Sequence, residues 1–364
     1  MEPASVGPAS VEPSSVGASS MEPASVEASS VESCSVDLST VESSNVEPSH
    51  MKRASADRII GMEPASVDNL RVLYQSSDFI LVDKHWDIRI DSKMWYEKQT
   101  VQRQLGLRFP HLADPGTYYG FRFCHQLDYS TSGVLCVALS KAAAGRAYSC
   151  FKDRRATKAY LALVRGWLES ETMTLDFPIG KNTTEGRTHM MCVQSTEGCE
   201  NPKPCETQLL VLEYGFYDDD PVTKVLLQPL TGRTHQLRVH CQAVGHPIVG
   251  DYTYSLGADS TPYRMMLHAH LLHLPLEPRP LQATAPDPFT TQTDPHWCPQ
   301  RRLRSVDGAV ETLLQRRAEE ERKKREKEKQ LEEDKRMRGR RKGREVNEEQ
   351  RRTCQQWLSE WAED

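Results

Sequence analysis

The chain has 364 residues, 38% of them hydrophobic and 27% charged, with a formal net charge of −5. It holds enough apolar material for one sizeable core, and no apolar run approaches the length of a membrane span, which argues against an integral membrane protein. Ten cysteines occur without a CxxC pair, a His/Cys metal pattern or an N-terminal apolar leader. That argues against a disulfide scaffold and a zinc module and points to a soluble, intracellular chain.

Residues 1–61 form a first segment. Its five-residue units, such as EPASV and EASSV, are rich in Glu, Ser, Pro, Ala and Val. They offer too little apolar area to offset the entropy of ordering, so the segment is expected to be disordered. Residues 1–60 carry nine acidic residues against three basic ones. An acidic start argues against a mitochondrial presequence and favours cytoplasm or nucleus. The phrase MEPASV recurs at Met62, which makes that residue a candidate alternative start.

Residues 62–299 are expected to form the globular domain. NLRVLYQSSDFILVDKHWDIRID reads as a strand pair around QSSD, and TVQRQLGLRF has helical spacing. GVLCVALS reads as a buried strand and KAAAGRAYSCFKDRR as a helix whose basic end suits its C-terminal dipole. KAYLALVRG alternates apolar and polar residues and ends at Gly166, as a half-buried strand does; TKVLLQPL and HLLHLPL add further strands. HQLRVHCQAVG reads as a helix closed by Gly245. Strands and helices mix without regular βαβ alternation, which predicts an α+β fold with a mostly antiparallel sheet.

Residues 300–364 differ again. From 301 to 345 there are eighteen basic residues against eleven acidic, with Glu–Lys and Glu–Arg pairs at helical neighbour spacing and few apolar positions. This predicts an exposed, solvated helix. Near its end Trp357, Leu358 and Trp361 share one helical face, suited to docking on the core or a partner. The globular segment itself is slightly acidic, so affinity for a polyanion would have to come from a local basic cleft, from the tail, or from both.

Three blocks carry chemistry. In CHQLDYSTSGVLCVALSK, Asp128 sits in a turn-forming polar stretch with Ser130, Thr131, Ser132 and Gly133, beside hydroxyls and amides able to hold its orientation. Taken alone, it reads first as an Asx-turn acid joining two strands. The second block is TKAYLALVRG, Thr157 to Gly166; the third is LLQPLTGRTHQLRVHCQAVGHPIVGD, Leu226 to Asp251. Together they resemble the RluA-type RNA pseudouridine synthases, in particular the vertebrate RNA pseudouridylate synthase domain-containing proteins. That family carries an HRLD-x-x-TSG block, a K-x-Y block and a TGRTHQLRVH block in this order, and the similarity runs from about Asn69 to Pro288.

The resemblance implies a pseudouridine synthase-like mixed central sheet flanked by helices, with the active cleft across it. It implies isomerisation of uridines in a tRNA, rRNA or mRNA by a monomeric enzyme that needs no cofactor or metal. Asp128 matches the family's nucleophile, Arg233 the motif arginine that pairs with it, and Tyr160 the tyrosine that stacks on the extruded base. Lys158 is expected to contact phosphate or support the Asp turn, Leu237 to pack beneath the base, and Thr131 and His235 to order the surrounding loops.

Two departures stand out. Gln126 occupies the place of the family arginine that aids base extrusion, and the early block reads DKHWD, with His85 and Trp86 where a Lys-Pro turn is usual. The first leaves open an alternative: an RNA-binding or RNA-folding factor that has kept the fold and lost turnover.

Overall fold

The computed structural model describes residues 65–361 apart from Trp95 and Tyr119. The acidic repeats and Met62 lie outside the described residues. The first strands are β1 (Arg71–Gln75) and β2 (Phe79–Lys84), followed by helix α1 (Val101–Arg108). Then come β3 (Arg122–Phe123), β4 (Ser132–Ala138), α2 (Lys141–Lys152), β5 (Thr157–Arg165) and β6 (Thr172–Leu175). The middle of the chain forms β7 (Ile179–Asn182), β8 (Met191–Val193), β9 (Cys199–Lys203), β10 (Thr207–Tyr217), β11 (Asp220–Pro229) and α3 (Gln236–Ala243). It closes with β12 (Leu267–Leu274), β13 (Leu281–Thr284), β14 (Trp297–Arg302) and α4 (Val306–Glu360).

The segments read as strands and helices all take those forms. Thr100 and Ser140 cap α1 and α2, each accepting a backbone N–H with its hydroxyl. Gly245, at φ 82°, follows α3 as expected for a residue that ends a helix.

The main sheet runs β1-β2-β4-β12-β5-β11-β10-β14, with β3, β6 and β13 attached at its sides. All its pairings are antiparallel except β4 with β12. A second, three-stranded sheet has the order β8-β7-β9. Every residue of β4 is buried, which explains its unbroken apolar run: the sheet is covered on both faces there.

One cross-sheet row positions the chemistry. Gly133 of β4 lies opposite Ala269 of β12, Ala269 opposite Tyr160 of β5, and Tyr160 opposite Leu227 of β11. The turn bearing Asp128 is thereby brought beside Tyr160, with only small residues between. A Cβ on Gly133 would lie 2.2 Å from the Ala269 carbonyl oxygen, and the residue has φ 109°, so glycine is required twice over.

The boundary expected at 299/300 needs correction, because it cuts through β14. That strand pairs with β10 from Tyr217↔Trp297 to Glu213↔Arg302. The tail is also not solvated from its start: Ala309 and Leu313 are buried in the main core, and Val306, Val310 and Leu314 pack against it. Their spacing is that of one helical face, which ends where the charged run begins. Beyond it α4 is exposed, and Trp357, Leu358 and Trp361 are exposed at 68%, 71% and 87% rather than docked on the core.

Gly133→Ala should destabilise the domain by about 3 kcal/mol, combining overpacking with a left-handed backbone. A urea melt would register this as a lower midpoint; an unchanged midpoint would contradict the tight β4–β12 contact.

Candidate active site

At Tyr160 of the cross-sheet row the surface opens into a cleft of about 870 Å³. Every residue singled out from sequence lines it: Gln126, Asp128, Thr131, Lys158, Tyr160, Arg233, His235 and Leu237. Among the described residues Asp128 is its only acidic lining residue, against Lys152, Arg154, Lys158, Arg233 and Arg238. The cleft is thus cationic although the chain is not.

Asp128 enters the cleft from the turn before β4. Its carbonyl accepts the Thr131 N–H at 3.1 Å, closing the turn. Beneath it, the fully buried Lys84 donates from Nζ to the carbonyls of Tyr129 and His85, both at 2.9 Å. Burial and then Arg264 push the Lys84 ammonium down to about 7, against the opposing pull of Asp87 and Asp128. Arg264 lies behind the same turn. It donates to Ser132 Oγ at 2.5 Å and to the Leu267 carbonyl at 3.2 Å, with its guanidinium 4.9 Å from the Trp86 ring centre. The unusual His85-Trp86 pair therefore has a structural use, as Trp86 covers a buried arginine.

The cation paired with Asp128 is Arg238, and the sequence expectation for Arg233 is corrected. Arg238 Nη1 donates to Asp128 Oδ2 at 3.3 Å. Its other edge grips Asp251 bidentately, Nε to Oδ2 at 2.7 Å and Nη2 to Oδ1 at 2.8 Å. Asp251 is 1% exposed and Arg238 8%. Burial alone would lower the Arg238 guanidinium, but Asp251 and then Asp128 raise it above its ordinary value, so it stays charged. Its guanidinium also sits 4.9 Å from the centre of the Tyr254 ring.

Arg233 turns away because it belongs to the loop rather than to α3. Its N–H is held by Gln236 Oε1 at 2.9 Å, and its Nη2 donates to the Pro204 carbonyl at 3.3 Å. His235, at φ 53°, precedes α3 in a left-handed conformation, so α3 begins at Gln236 and its first turn aims Leu237 and Arg238 at the cleft. The His235 ring shares a 2.9 Å hydrogen bond with Tyr254 Oη, and burial lowers its pKa, as suits a loop-ordering group.

On the opposite wall, burial and then the Asp128 charge raise the Tyr160 hydroxyl, which stays protonated. Burial brings Lys158 down to about 8. His125 is pushed down to about 4 by burial and then by Lys158, and its Nε2 accepts the Cys136 N–H at 3.0 Å as a neutral ring. Gln126 is exposed.

Sequence reasoning missed Arg238, Asp251 and Tyr254. The first two lie inside the third block, where a second arginine and a terminal acid were a usable signal. Tyr254 lies just beyond the block and carried no signal of its own.

The arrangement can hold a carboxylate against a fixed guanidinium, beside an aromatic face, in a cationic cleft. The family profile for RNA pseudouridylate synthase matches residues 78–243. The chain is 64% identical over 301 residues to RNA pseudouridylate synthase domain-containing protein 1 of Danio rerio, covering 83% of this chain and 99% of that protein. It is 33% identical over 218 residues to the dual-specificity RNA pseudouridine synthase RluA of Escherichia coli strain K12, covering 58% and 91%. The solved structure of human RNA pseudouridylate synthase domain containing 1 aligns with a TM-score of 0.63 at 56% identity, covering 69% of this chain and 97% of that one. The three blocks, the cleft they build and relatives matched over nearly their whole length lead to one conclusion: the chain belongs to the RluA-type RNA pseudouridylate synthase family.

Proposed function

We propose that the protein isomerises specific uridines in RNA to pseudouridine, with Asp128 supplying the catalytic carboxylate. The observation that carries this reading is the Asp128–Arg238–Asp251 chain at a cleft whose other charged lining residues, among those described, are all basic. A protein that only binds RNA gains from the basic residues but has no use for a carboxylate facing a phosphate backbone.

The reaction breaks the bond from ribose C1′ to uracil N1, turns the base, joins C1′ to C5, and moves the C5 proton to solvent while N1 gains one. Atoms and electrons balance within the nucleotide. The carboxylate of Asp128 acts at the ribose, either by attack on C1′ or by removing a ribose proton. Arg238 holds that carboxylate in place and aims it. Tyr160 offers a protonated hydroxyl and an aromatic face for an extruded base, a surface every uridine can stack on. Leu237 closes the apolar floor, and Lys158 and Arg233 meet phosphate.

Asp128→Asn keeps the side-chain shape but cannot supply the charge, so turnover should fall at least ~10³-fold with little change in melting temperature or RNA affinity. Single-turnover kinetics on an RNA that the wild type modifies would check this; near-wild-type turnover would remove Asp128 from the mechanism.

The two arginines should separate. Arg238→Lys loses the two-edged geometry and should cost on the order of 10²-fold in rate, whereas Arg233→Lys keeps a phosphate-facing charge and should cost less than about fivefold. The same rate assay, with equal losses for both, would contradict the pairing.

Gln126 is exposed where the family places an arginine, so extrusion from a stable helix should be the weak step. Uridines already unpaired in loops should be preferred, and Gln126→Arg should raise activity on helical uridines more than on loop uridines. Matched hairpins carrying one uridine in either context decide this; an equal response in both leaves Gln126 without a role in extrusion.

A further inference from the structure

The largest concentration of charge outside the cleft lies on α4, and its root meets the cleft. Arg316 Nη2 donates to the side-chain oxygens of Gln208 and Gln228, both at 2.6 Å, and Arg317 Nη2 donates to the Arg154 carbonyl at 3.2 Å. Arg154 and Lys152 line the cleft. The helix therefore leaves the domain at the cleft's rim, next to residues already turned toward substrate.

Beyond this root the charge is not evenly spread. Arg322, Lys323, Lys324 and Arg325 form a first basic run, partly neutralised by ion pairs four residues away to Glu326, Glu319 and Glu328. Glu326 to Asp334 then holds five acidic residues against two basic ones. From Lys335 to Arg344, seven of ten residues are basic and none is acidic. Lys335, Arg336, Arg338 and Lys342 are exposed.

A helix that needs only solubility is well served by alternating Glu and Lys at i,i+4, as in the proximal part, and gains nothing by segregating one sign. The distal run also holds Gly339 and Gly343, each costing about 1 kcal/mol of helix propensity relative to Ala. At ~1.5 Å rise per residue, the run is centred roughly 34 Å along the helix from Arg317.

We propose that Lys335–Arg344 binds the phosphate backbone of the substrate RNA where it flanks the target uridine, as a second contact beyond the cleft. This rests on reading the cleft as the RNA site. RNA fits the run better than an acidic protein does, because the phosphates of a strand leaving a cationic cleft pass the helix root and then meet a stretch of seven basic residues with no acid among them. Once the cleft is occupied, the second contact is intramolecular and adds affinity without new chemistry.

The test uses the full chain carrying K335Q, R336Q, R338Q, R340Q, R341Q, K342Q and R344Q together, glutamine being nearly as good a helix former. Two RNA probes are compared: a single strand of about 12 nucleotides with one uridine, and the same strand joined to a stem of about 20 base pairs. Affinity for the long probe should fall about tenfold, and its salt slope should drop by about four, while the short probe changes less than about twofold. The single-turnover rate at saturating RNA should be unchanged. Unaltered long-probe binding and slope would make the run a solvated face and overturn the proposal. Equal losses on both probes would overturn it too, as would retained RNA binding alongside lost binding of polyglutamate, which would assign the run to an acidic protein. If the wild type binds both probes but isomerises no uridine, the active-site reading fails, and the binding comparison alone still decides the role of the run.

Discussion

The site depends on the bidentate bond from Arg238 to Asp251. Both groups are almost fully buried, so each is tolerable only because the other is present; removing one leaves an uncompensated charge that costs about 3–5 kcal/mol. Because Nε and Nη2 are committed to Asp251, only Nη1 remains to face Asp128, and its direction is set by a planar group whose other edge cannot move. Tyr254 stacks against the same guanidinium, donates its backbone N–H to Asp251 Oδ1, and ties the His235 loop to β8 through Met191 N. The short helix α3 and the small sheet thus converge on one arginine.

The carboxylate on the other side of that contact is held from below. Asp128 lies on a turn whose carbonyls are pinned by Lys84 and whose following strand is pressed against β12 at Gly133. Lys84 and Arg264 are buried cations, and the pair shares one region with Asp83, whose carboxyl burial raises to about 6 while Arg71 and Arg264 pull it down. Basic side chains gathered behind the half-buried Asp128 suit a site that must also attract phosphates.

Much of this was legible in the amino-acid sequence. Period-two and period-3.6 apolar patterns located β1, β2, β4, β5, β12 and the first three helices, and the three blocks located the cleft. The partner of Asp128 was not legible, because Arg233 and Arg238 stand five residues apart and the choice depends on where α3 begins. That point is set by the left-handed His235 and by Gln236 bonding back to Thr231 and Arg233, which no residue pattern announces. The parallel β4–β12 pairing, the short strands β7 to β9 and the edge strand β14 were equally hidden. Each is fixed by long-range register rather than by local periodicity, and the last moves the domain's end past Pro299. Trp86 looked like a lost turn proline until its contact with Arg264 gave it a place.

The account's central claim is that this cationic cleft, with its one oriented carboxylate, converts uridine to pseudouridine in cellular RNA. The most direct measurement is transcriptome-wide sequencing of chemically labelled pseudouridine in cells with and without the protein. A defined set of uridines should lose the modification in its absence and regain it when the protein is restored. Identical maps in both conditions would contradict the claim.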